Sequence, residues 1–365
     1  MQKDFHHAVT YLVARLAGFP ANEAQIVATS AQYVDDAATE GSIRFTDGTK
    51  FDFHASAHKD LDRRNFREMQ NRKVWIPFHF LPGNNNTKEK SKLNKYIPYK
   101  KRLVCRKNSP VARRMMQEVC KMRQEPWALH LLGISLHVFV DTWAHQDFVG
   151  KISRHNNVRL LDKAYQPDLS SVGKLKRYFT ENFDAAKGLF IRGVLPLGHA
   201  AALANPDLPY LKWAYMRKDE IHLRNNPEEF TEAVCQMFRW LKAYRADRHK
   251  PESEEMPNSL IEKFYHYFRF FESPSAELRH KWWCELIESG EFGINDCISY
   301  AEKGSESWLW AALGDTDLRK SKSLELEKPP YFNHTHWKLF HDALKVHRYQ
   351  ILHLVLPRFG IIEYL

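Results

Sequence analysis

The most chemically informative part of the sequence is the apolar segment 127–148, which carries four polar exceptions. They are three histidines and a carboxylate, namely His130, His137, Asp141 and His145. At about 100° per residue, a helix aligns all four along one stripe. Buried polar groups without partners each cost about 1–3 kcal/mol, and a metal ion is a partner that imidazole and carboxylate can share. The spacing of His137 and Asp141 therefore predicts that both ligate a metal ion from one side.

Other segments offer histidines and aspartates that a helical fold could bring to this stripe. Each of these residues also has a structural interpretation, because aspartates cap or end helices and histidines occur in turns. We expect at least three of them to be structural only. The candidates, in chain order, are His6, His7, Asp35, Asp36, His54, His58, Asp62, His79, His199 and Asp207.

Helical periodicity indicates which elements position these residues. Apolar residues recur at spacings of three and four in several segments, and few windows alternate as strands do. Asn22, Ser109 with Pro110, and Pro126 are suitable for helix N-termini. We therefore predict a mainly α fold. The predicted helices cover residues 8–18, 21–33, 111–122, 127–148, 175–190, 227–244 and 260–271.

Two polar stretches indicate how the chain is organised. Residues 249–259 and 314–330 are typical of linkers or long surface loops. They predict a helical metal-binding core over residues 1–248 and an aromatic-rich helical C-terminal part over residues 260–365, packed on that core. Within the C-terminal part, apolar residues from Trp337 onward recur at three and four, which predicts an amphipathic helix that ends at Pro357.

The composition predicts a folded globular protein. Of the 365 residues, 44% are hydrophobic and 13% aromatic, and this much apolar area has to be buried, which excludes a disordered or collagenous chain. The longest apolar run is well short of the roughly 20 residues that cross a bilayer, so no transmembrane segment is predicted. We find neither an export signal nor a disulfide or thiolate zinc pattern among the five cysteines, and we expect a cytoplasmic protein.

Most of the net charge of +10 lies in one segment, residues 84–107, which holds nine basic residues and one acidic residue. The segment follows the turn-forming run Pro82-Gly83-Asn84-Asn85-Asn86. A solvated insertion in the core is its simplest interpretation. The alternative is contact with phosphate groups or an anionic membrane surface, made by lysines that include Lys88, Lys90 and Lys92.

Several of these motifs together resemble a known superfamily. An early histidine, Tyr-Val-Asp35-Asp36 after two helices, and the His137-x3-Asp141 helix are similar to the zinc-dependent phospholipase C and single-strand nuclease superfamily. More closely, the whole chain resembles an uncharacterised bacterial and fungal family of unknown function. Residues 76–83, 141–146, 198–199 and 337–360 carry that closer similarity, which names no activity.

The phospholipase-like resemblance implies a helical bundle core that holds one to three zinc ions, or another divalent metal. It implies that His6 or His7 is the early ligand, Asp35 or Asp36 a bridging carboxylate, and His54 or His58 the next histidine. His137 and Asp141 match the helix pair of the superfamily. Two features differ: His145 follows Asp141 after three residues where the superfamily has five, and His199 has no acid at the fourth following position. The superfamily also uses an N-terminal amine ligand, which we do not expect here.

The leading functional prediction is a metal-dependent phosphoester hydrolase, of the phospholipase C or phosphodiesterase and nuclease type, with a lipid or nucleic acid substrate. Asp35 or Asp36 would orient or deprotonate the attacking water. His79 and aromatic residues such as Trp75, Phe78, Trp143 and Trp213 would contact the substrate. The alternative is a non-catalytic binding or interaction protein with a structural metal site. An HD-type hydrolase is not favoured, because the adjacent pair His341-Asp342 lies on the terminal helix.

Overall fold

The structure is rich in helices and has two small sheets. The computed structural model describes residues 1–58, 68–161, 197–318 and 324–362. The helices are α1 (Thr10–Leu16), α2 (Ala21–Asp36), α3 (Glu68–Phe78), α4 (Tyr99–Arg102), α5 (Pro110–Cys120), α6 (Ala128–Ala144), α7 (Asn226–Arg245), α8 (Asn258–Phe270), α9 (Ala276–Glu288), α10 (Trp308–Leu313), α11 (His336–Tyr349) and α12 (Leu356–Arg358). The strands are β1 (Gly41–Phe45), β2 (Lys50–Phe53), β3 (Arg159–Leu160), β4 (Lys212–Arg217), β5 (Glu220–Asn225) and β6 (Leu324–Leu326).

The prediction of a helix-rich fold is confirmed, and the two sheets add to it. In the first sheet β1 pairs antiparallel with β2, and β6 adds to β1 in parallel. In the second sheet β4 lies between β3 and β5, and both pairings are antiparallel. The sequence did not reveal these strands because they are only two to six residues long, too short for a clear alternating pattern.

Several predicted helices match observed helices within a few residues, among them the segments that became α2, α5, α7 and α8. The first helix begins earlier than predicted, with a π-helical segment at Asp4–Val9. The predicted terminal helix is observed as α11, the π-helical segment Gln350–Val355 and α12. The predicted helix 175–190 lies outside the described residues, as does Asp62.

The apolar segment of the sequence forms α6, the central helix. Its residues are buried on all sides except at Leu129, as expected for a helix that is hydrophobic all round. Helices α2, α5, α7 and α11 pack against it. Gly133 allows α2 to come close, since a Cβ atom there would overlap the Val27 carbonyl oxygen and lie 2.6 Å from Ser30 Cβ.

The C-terminal helices pack on the N-terminal half of the chain. Helix α8 contacts α7, and α9 contacts the π-helical segment Asp4–Val9. One buried apolar cluster contains residues from both regions, including Phe5, Phe268 and Trp283. The buried Arg279 guanidinium donates to the Asp4 carboxylate at 2.6 Å, which fixes α9 to the start of the chain. Within the described ranges, the longest and most apolar helices do not reach the length and hydropathy needed to cross a bilayer.

We predict that Gly133→Ala destabilises the protein although alanine is the better helix former. Intrinsic helix propensity favours alanine by roughly 1 kcal/mol, but the new methyl group would push α2 away from α6. Overpacking of this kind costs about 1–3 kcal/mol. Chemical denaturation monitored by circular dichroism measures the change in the free energy of unfolding. A gain in stability would contradict the close approach at Val27.

Candidate metal centre

Histidines and aspartates from five parts of the chain meet beside the C-terminal half of α6. Helix α6 presents His137 and Asp141, and His145 caps its C-terminus. The π-helical segment Asp4–Val9 supplies His6, and the end of α2 supplies Asp35. The remaining members, His79, His199 and Asp207, come from the residue after α3 and from short turns.

These side chains form three groups, and within each group the candidate ligand atoms lie within 4.8 Å of one another. The first two groups share His137. Because one imidazole nitrogen has one lone pair, the inward nitrogen of His137 can serve only one ion. His137 can therefore serve an ion in only one of the first two groups at a time; we call these two together the combined group, and a further ion fits the third. The groups are His6, Asp35 and His137; His79, His137 and Asp141; and His145, His199 and Asp207.

Four of the histidines hold one ring nitrogen against a backbone carbonyl. A carbonyl oxygen only accepts, so that nitrogen carries the hydrogen, and a neutral ring leaves the other nitrogen with its lone pair directed into the cluster. This is the orientation by outer partners that metal-ligating histidines show. The contacts are His137 Nδ1 to Ala31 O at 2.8 Å, His79 Nε2 to Ser56 O at 3.0 Å, His145 Nδ1 to His79 O at 2.7 Å and His199 Nδ1 to Leu203 O at 2.9 Å.

With the tautomers that the carbonyl contacts fix for neutral rings, His137 Nε2, His79 Nδ1 and the Asp141 carboxylate are all acceptors. His137 Nε2 lies 3.3 Å from His79 Nδ1. Asp141 Oδ2 lies 3.2 Å from the first nitrogen and 3.5 Å from the second. Lone pairs at these distances repel one another inside a buried site unless a cation is shared among them. The arrangement can therefore hold a divalent ion.

His6 adds an imidazole that has no hydrogen bond of its own. Both of its ring nitrogens are buried without a hydrogen-bond partner among the described residues. Its Nε2 lies 3.2 Å from Asp141 Oδ1, and its ring stacks on that of His137 at 3.8 Å. Burial lowers the pKa of His6 and holds that of His137 well below the usual value. Both rings are therefore neutral, and each can donate a lone pair to a metal ion, as metal ligation requires.

In the third group, the nitrogens of two histidines face one carboxylate. His145 Nε2 lies 3.4 Å from Asp207 Oδ1, and His199 Nε2 lies 3.3 Å from Asp207 Oδ2. Burial raises the pKa of Asp207, but the neighbouring amine and the imidazoles outweigh it and lower that pKa. Two imidazoles and one carboxylate form a three-ligand set, which leaves a coordination position open for water or substrate.

The α-amine of Met1 lies at the junction of the groups, which corrects the expectation that no N-terminal amine takes part here. It is 2.6 Å from Asp141 Oδ1 and 3.1 Å from Asp207 Oδ1. Burial by itself lowers the pKa of this amine, but the two carboxylates have the larger combined effect and raise the pKa to about 11. The ammonium therefore supplies positive charge between the two carboxylates.

A cavity of about 290 Å³ opens beside the cluster. Its wall combines the polar atoms of the centre with apolar and aromatic surface. The Asp35 side chain is 33% exposed, and its pKa is raised well above the usual value by burial and by the Asp141 carboxylate. Residues that line the cavity include Asp35, His58, Trp75, His79, Phe80, Asp141, His145, His199 and Asp207.

The structure brings most of the predicted ligands together. The predicted substrate contact His79 lies among the ligand candidates, and His58 lies in the cavity wall. Trp75 also lines the cavity, as expected for a substrate contact, and Phe80, which the sequence patterns did not indicate, stacks on His145 at 4.4 Å. The predicted ligands that join a group are His6, Asp35, His79, His137, Asp141, His145, His199 and Asp207.

Other predicted site residues lie elsewhere. His7 pairs with His280 at 2.9 Å, and the Asp36 carboxylate accepts from Tyr300 and Gln32. The sequence left open which of two adjacent residues faces the cluster, and these placements exclude His7 and Asp36. Neighbours on a helix point roughly 100° apart, so only one of each pair can face the cluster. The backbone N–H of His54 lies near the His341 ring of α11, which places His54 outside the three groups.

Several predicted substrate contacts also lie outside the cavity wall. Trp143 is fully buried and packs against Phe139 and Trp240, so its role is in the core. Phe78 and Trp213 are buried and are not in the cavity wall. Lys88, Lys90 and Lys92 are exposed on the basic segment.

Comparison with known proteins assigns the chain to a family. It belongs to a family of unknown function, DUF6765, whose model matches residues 1–355. No curated protein and no solved structure matches it. The match covers all eight ligand candidates and both halves of the chain.

We predict that the protein binds divalent metal and that His137→Gln removes the ion held by the combined group, while the third group keeps its own. Loss of this ligand should weaken metal affinity by at least about a hundredfold, because changes even to outer partners cost 10–100-fold. His54→Gln is the matched control and should leave metal content unchanged. Elemental analysis measures this on protein tagged at the C-terminus, since Met1 lies in the cluster. A wild-type content below about 0.2 metal ions per chain after growth with ample metal would contradict a tight site.

Proposed function

We propose that this DUF6765 protein is a metal-dependent phosphoester hydrolase. The observation that carries the proposal is the set of four histidines that donate one N–H to a backbone carbonyl and direct the other ring nitrogen toward the aspartates beside an open cavity. This donor set suits zinc or a similar divalent ion. The arrangement is the kind that the resemblance to the zinc-dependent phospholipase C and nuclease superfamily implies.

The two parts of the centre support different roles. The combined group, with His6, His137 and His79, is buried and offers enough ligands to close a coordination sphere. The third group, His145, His199 and Asp207, has three ligands and faces the cavity. When bound, divalent ions would supply Lewis acidity and a nucleophilic water at neutral pH. Paired ions of this kind are used for displacement at phosphorus, where charge develops on both the attacking and leaving oxygens.

Asp35 is the residue best placed to handle a proton or orient the attacking water. Its carboxylate lines the cavity and lies 3.8 Å from both His79 Nδ1 and His137 Nε2. Burial and the Asp141 carboxylate raise the pKa of Asp35 well above its usual value, which brings a carboxylate toward the range of a general base. Asp36, the other sequence candidate, is held by Tyr300 and Gln32.

The cavity wall supports a substrate with both a charged and an apolar part. Trp75 and Phe80 provide aromatic surface beside the imidazoles, since Trp75 contacts His79 at 5.1 Å and Phe80 stacks on His145 at 4.4 Å between ring centroids. His58, which is buried and packs edge-to-face on Trp75 at 6.3 Å, adds a polar group to this wall. A phosphoester with an apolar or aromatic substituent, such as a lipid headgroup or a nucleotide, has this combination of properties.

A non-catalytic metal protein is the second candidate, and the burial of the combined group favours it. His6 and His137 are 0% exposed and Asp141 is 1% exposed. Structural metal sites are closed by four protein ligands, whereas catalytic sites keep a position for water. A structure of the metal-loaded protein with anomalous scattering distinguishes the two, because it shows whether any ion retains a water ligand.

We predict that Asp35→Asn lowers hydrolysis far more than it lowers metal content. Removing a general base typically costs about 10²–10⁴-fold in rate. The matched control is Asp36→Asn, one residue along the same helix, which should keep activity within about threefold because Asp36 is outside the cavity. Hydrolysis of a generic phosphodiester and of a phospholipid panel by metal-loaded protein gives the rates. If the fully metallated wild type cleaves none of these substrates, the binding-protein interpretation replaces the hydrolase.

A further inference from the structure

The basic segment forms a lysine-rich surface that the metal centre does not account for. We name residues 88–101 the cationic loop. Its single acid, Glu89, is already paired with Arg358 and lies 3.8 Å from Arg114. No ion pair joins the loop's lysines to any other residue within the described ranges. The exposed lysines are Lys88, Lys90, Lys92, Lys95, Lys100 and Lys101.

Large apolar and aromatic side chains are exposed among these lysines. Tyr96 is 82% exposed, Leu93 63% and Tyr99 39%. The Tyr99 hydroxyl donates to the Ile362 carbonyl, and Ile362 is itself 55% exposed. Single exposed apolar residues are common, but a group of them marks an interaction site.

Many hydrogen bonds fix the conformation of the cationic loop, so its surface has a defined shape. Asn84 is fully buried, accepts from Arg102 Nε and donates to Asn94. Two further hydrogen bonds join this region to residues near the C-terminus. The backbone N–H of Lys90 donates to Arg358 O, and the guanidinium of Arg102 donates to Phe359 O at 2.8 Å.

The loop is also anchored at the rim of the metal centre. Pro82 and Cys105 pair across its base, and the Cys105 N–H donates to Phe148 O at 2.8 Å. Pro82 follows His79 by three residues, and Phe148 follows His145 by three residues. The base of the loop is therefore attached to the two segments that bear His79 and His145.

We propose that the cationic loop docks the protein on the surface of an anionic lipid bilayer. The lysines would lie against the headgroup phosphates, with Leu93 and Tyr96 entering the interface between headgroups and acyl chains. Tyrosine is favoured at such interfaces, and aliphatic side chains gain from leaving water there. This binding does not depend on whether the metal centre hydrolyses phosphoesters.

The residue types favour lipid over nucleic acid. Arginine guanidinium groups recognise phosphates and bases through two-point contacts. Here they already form hydrogen bonds within the protein, Arg102 with Asn84 and Phe359 O, and Arg106 with Asp147. The free charges belong to lysines, which act as point charges on a diffuse anionic surface. Leu93 offers no stacking face for a base, but it fits an acyl boundary.

Cosedimentation with vesicles of stated composition tests the proposal. We expect the metal-loaded protein to bind phosphatidylcholine vesicles that contain about one third phosphatidylserine, to bind pure phosphatidylcholine far less, and to lose affinity as salt rises. Each lysine near the surface contributes about fivefold to binding, so replacing Lys88, Lys90, Lys92 and Lys95 by Gln should lower the partition coefficient by at least about a hundredfold.

The matched control removes the same charge elsewhere. Replacing the exposed residues Lys212, Lys218, Lys250 and Lys281 by Gln should change binding by less than about threefold. A second variant, Leu93→Ser with Tyr96→Ser, keeps every charge and should lower binding by about tenfold. Asp35→Asn, which should lose hydrolysis but keep its metal, should bind vesicles as the wild type does, which separates docking from the proposed hydrolysis.

Three results would overturn the proposal. One is the absence of binding to anionic vesicles at low salt by the folded protein. Another is an equal loss of binding in both lysine variants, which would show that net charge alone acts. The third is lysine-dependent binding of a single-stranded oligonucleotide without binding to vesicles, which would assign the loop to nucleic acid.

Discussion

The carboxylate of Asp141 is the group on which the rest of the structure depends. It is 1% exposed, and it lies within 3.6 Å of the Met1 amine and of nitrogens from His6, His79, His137 and His145. A buried carboxylate costs several kcal/mol unless cations or hydrogen-bond donors compensate it. The Met1 ammonium compensates part of this charge, and the surrounding imidazoles, which mostly offer lone pairs, add a further cation only by sharing a metal ion. This requirement explains why so many segments of the chain converge on one turn of α6.

The scaffold fixes the orientation of each imidazole. Carbonyl groups of residues 31, 56, 79 and 203 accept the outward N–H groups, so the helices and turns that carry these carbonyls determine where each lone pair points. One acceptor, His79 O, belongs to a ligand candidate, which couples His79 to His145. The close packing of α2 on α6 at Gly133 sets the distance between Ala31 and His137. Orientation in the centre is therefore a property of the backbone packing.

Local spacing predicted part of this centre, and long-range folding determined the rest. The stripe of His137, Asp141 and His145 follows from helical geometry alone, and the structure brings all three into the groups. The choice within His6 and His7, or within Asp35 and Asp36, depends on the rotation of each helix about its axis, which one sequence does not specify. The pairing of His199 with Asp207 depends on short turns without a repeating pattern. The contact of the Met1 amine has no side-chain signature at all.

One helix supplies both a buried and an open part of the centre because its ligands are spaced four residues apart. His137 lies deepest and is not in the cavity wall, Asp141 lies one turn further and reaches the wall, and His145 ends the helix at the cavity. The burial needed for tight metal binding and the access needed by a substrate therefore occur at successive turns. A site of this kind can keep an ion in its buried part while its open part exchanges water, since the two parts share a rigid helix and differ in exposure. Shortly after the helix ends, Phe148 O accepts from the Cys105 N–H, and Cys105 pairs with Pro82 across the base of the cationic loop, so the base of the loop is joined to the segment that follows His145.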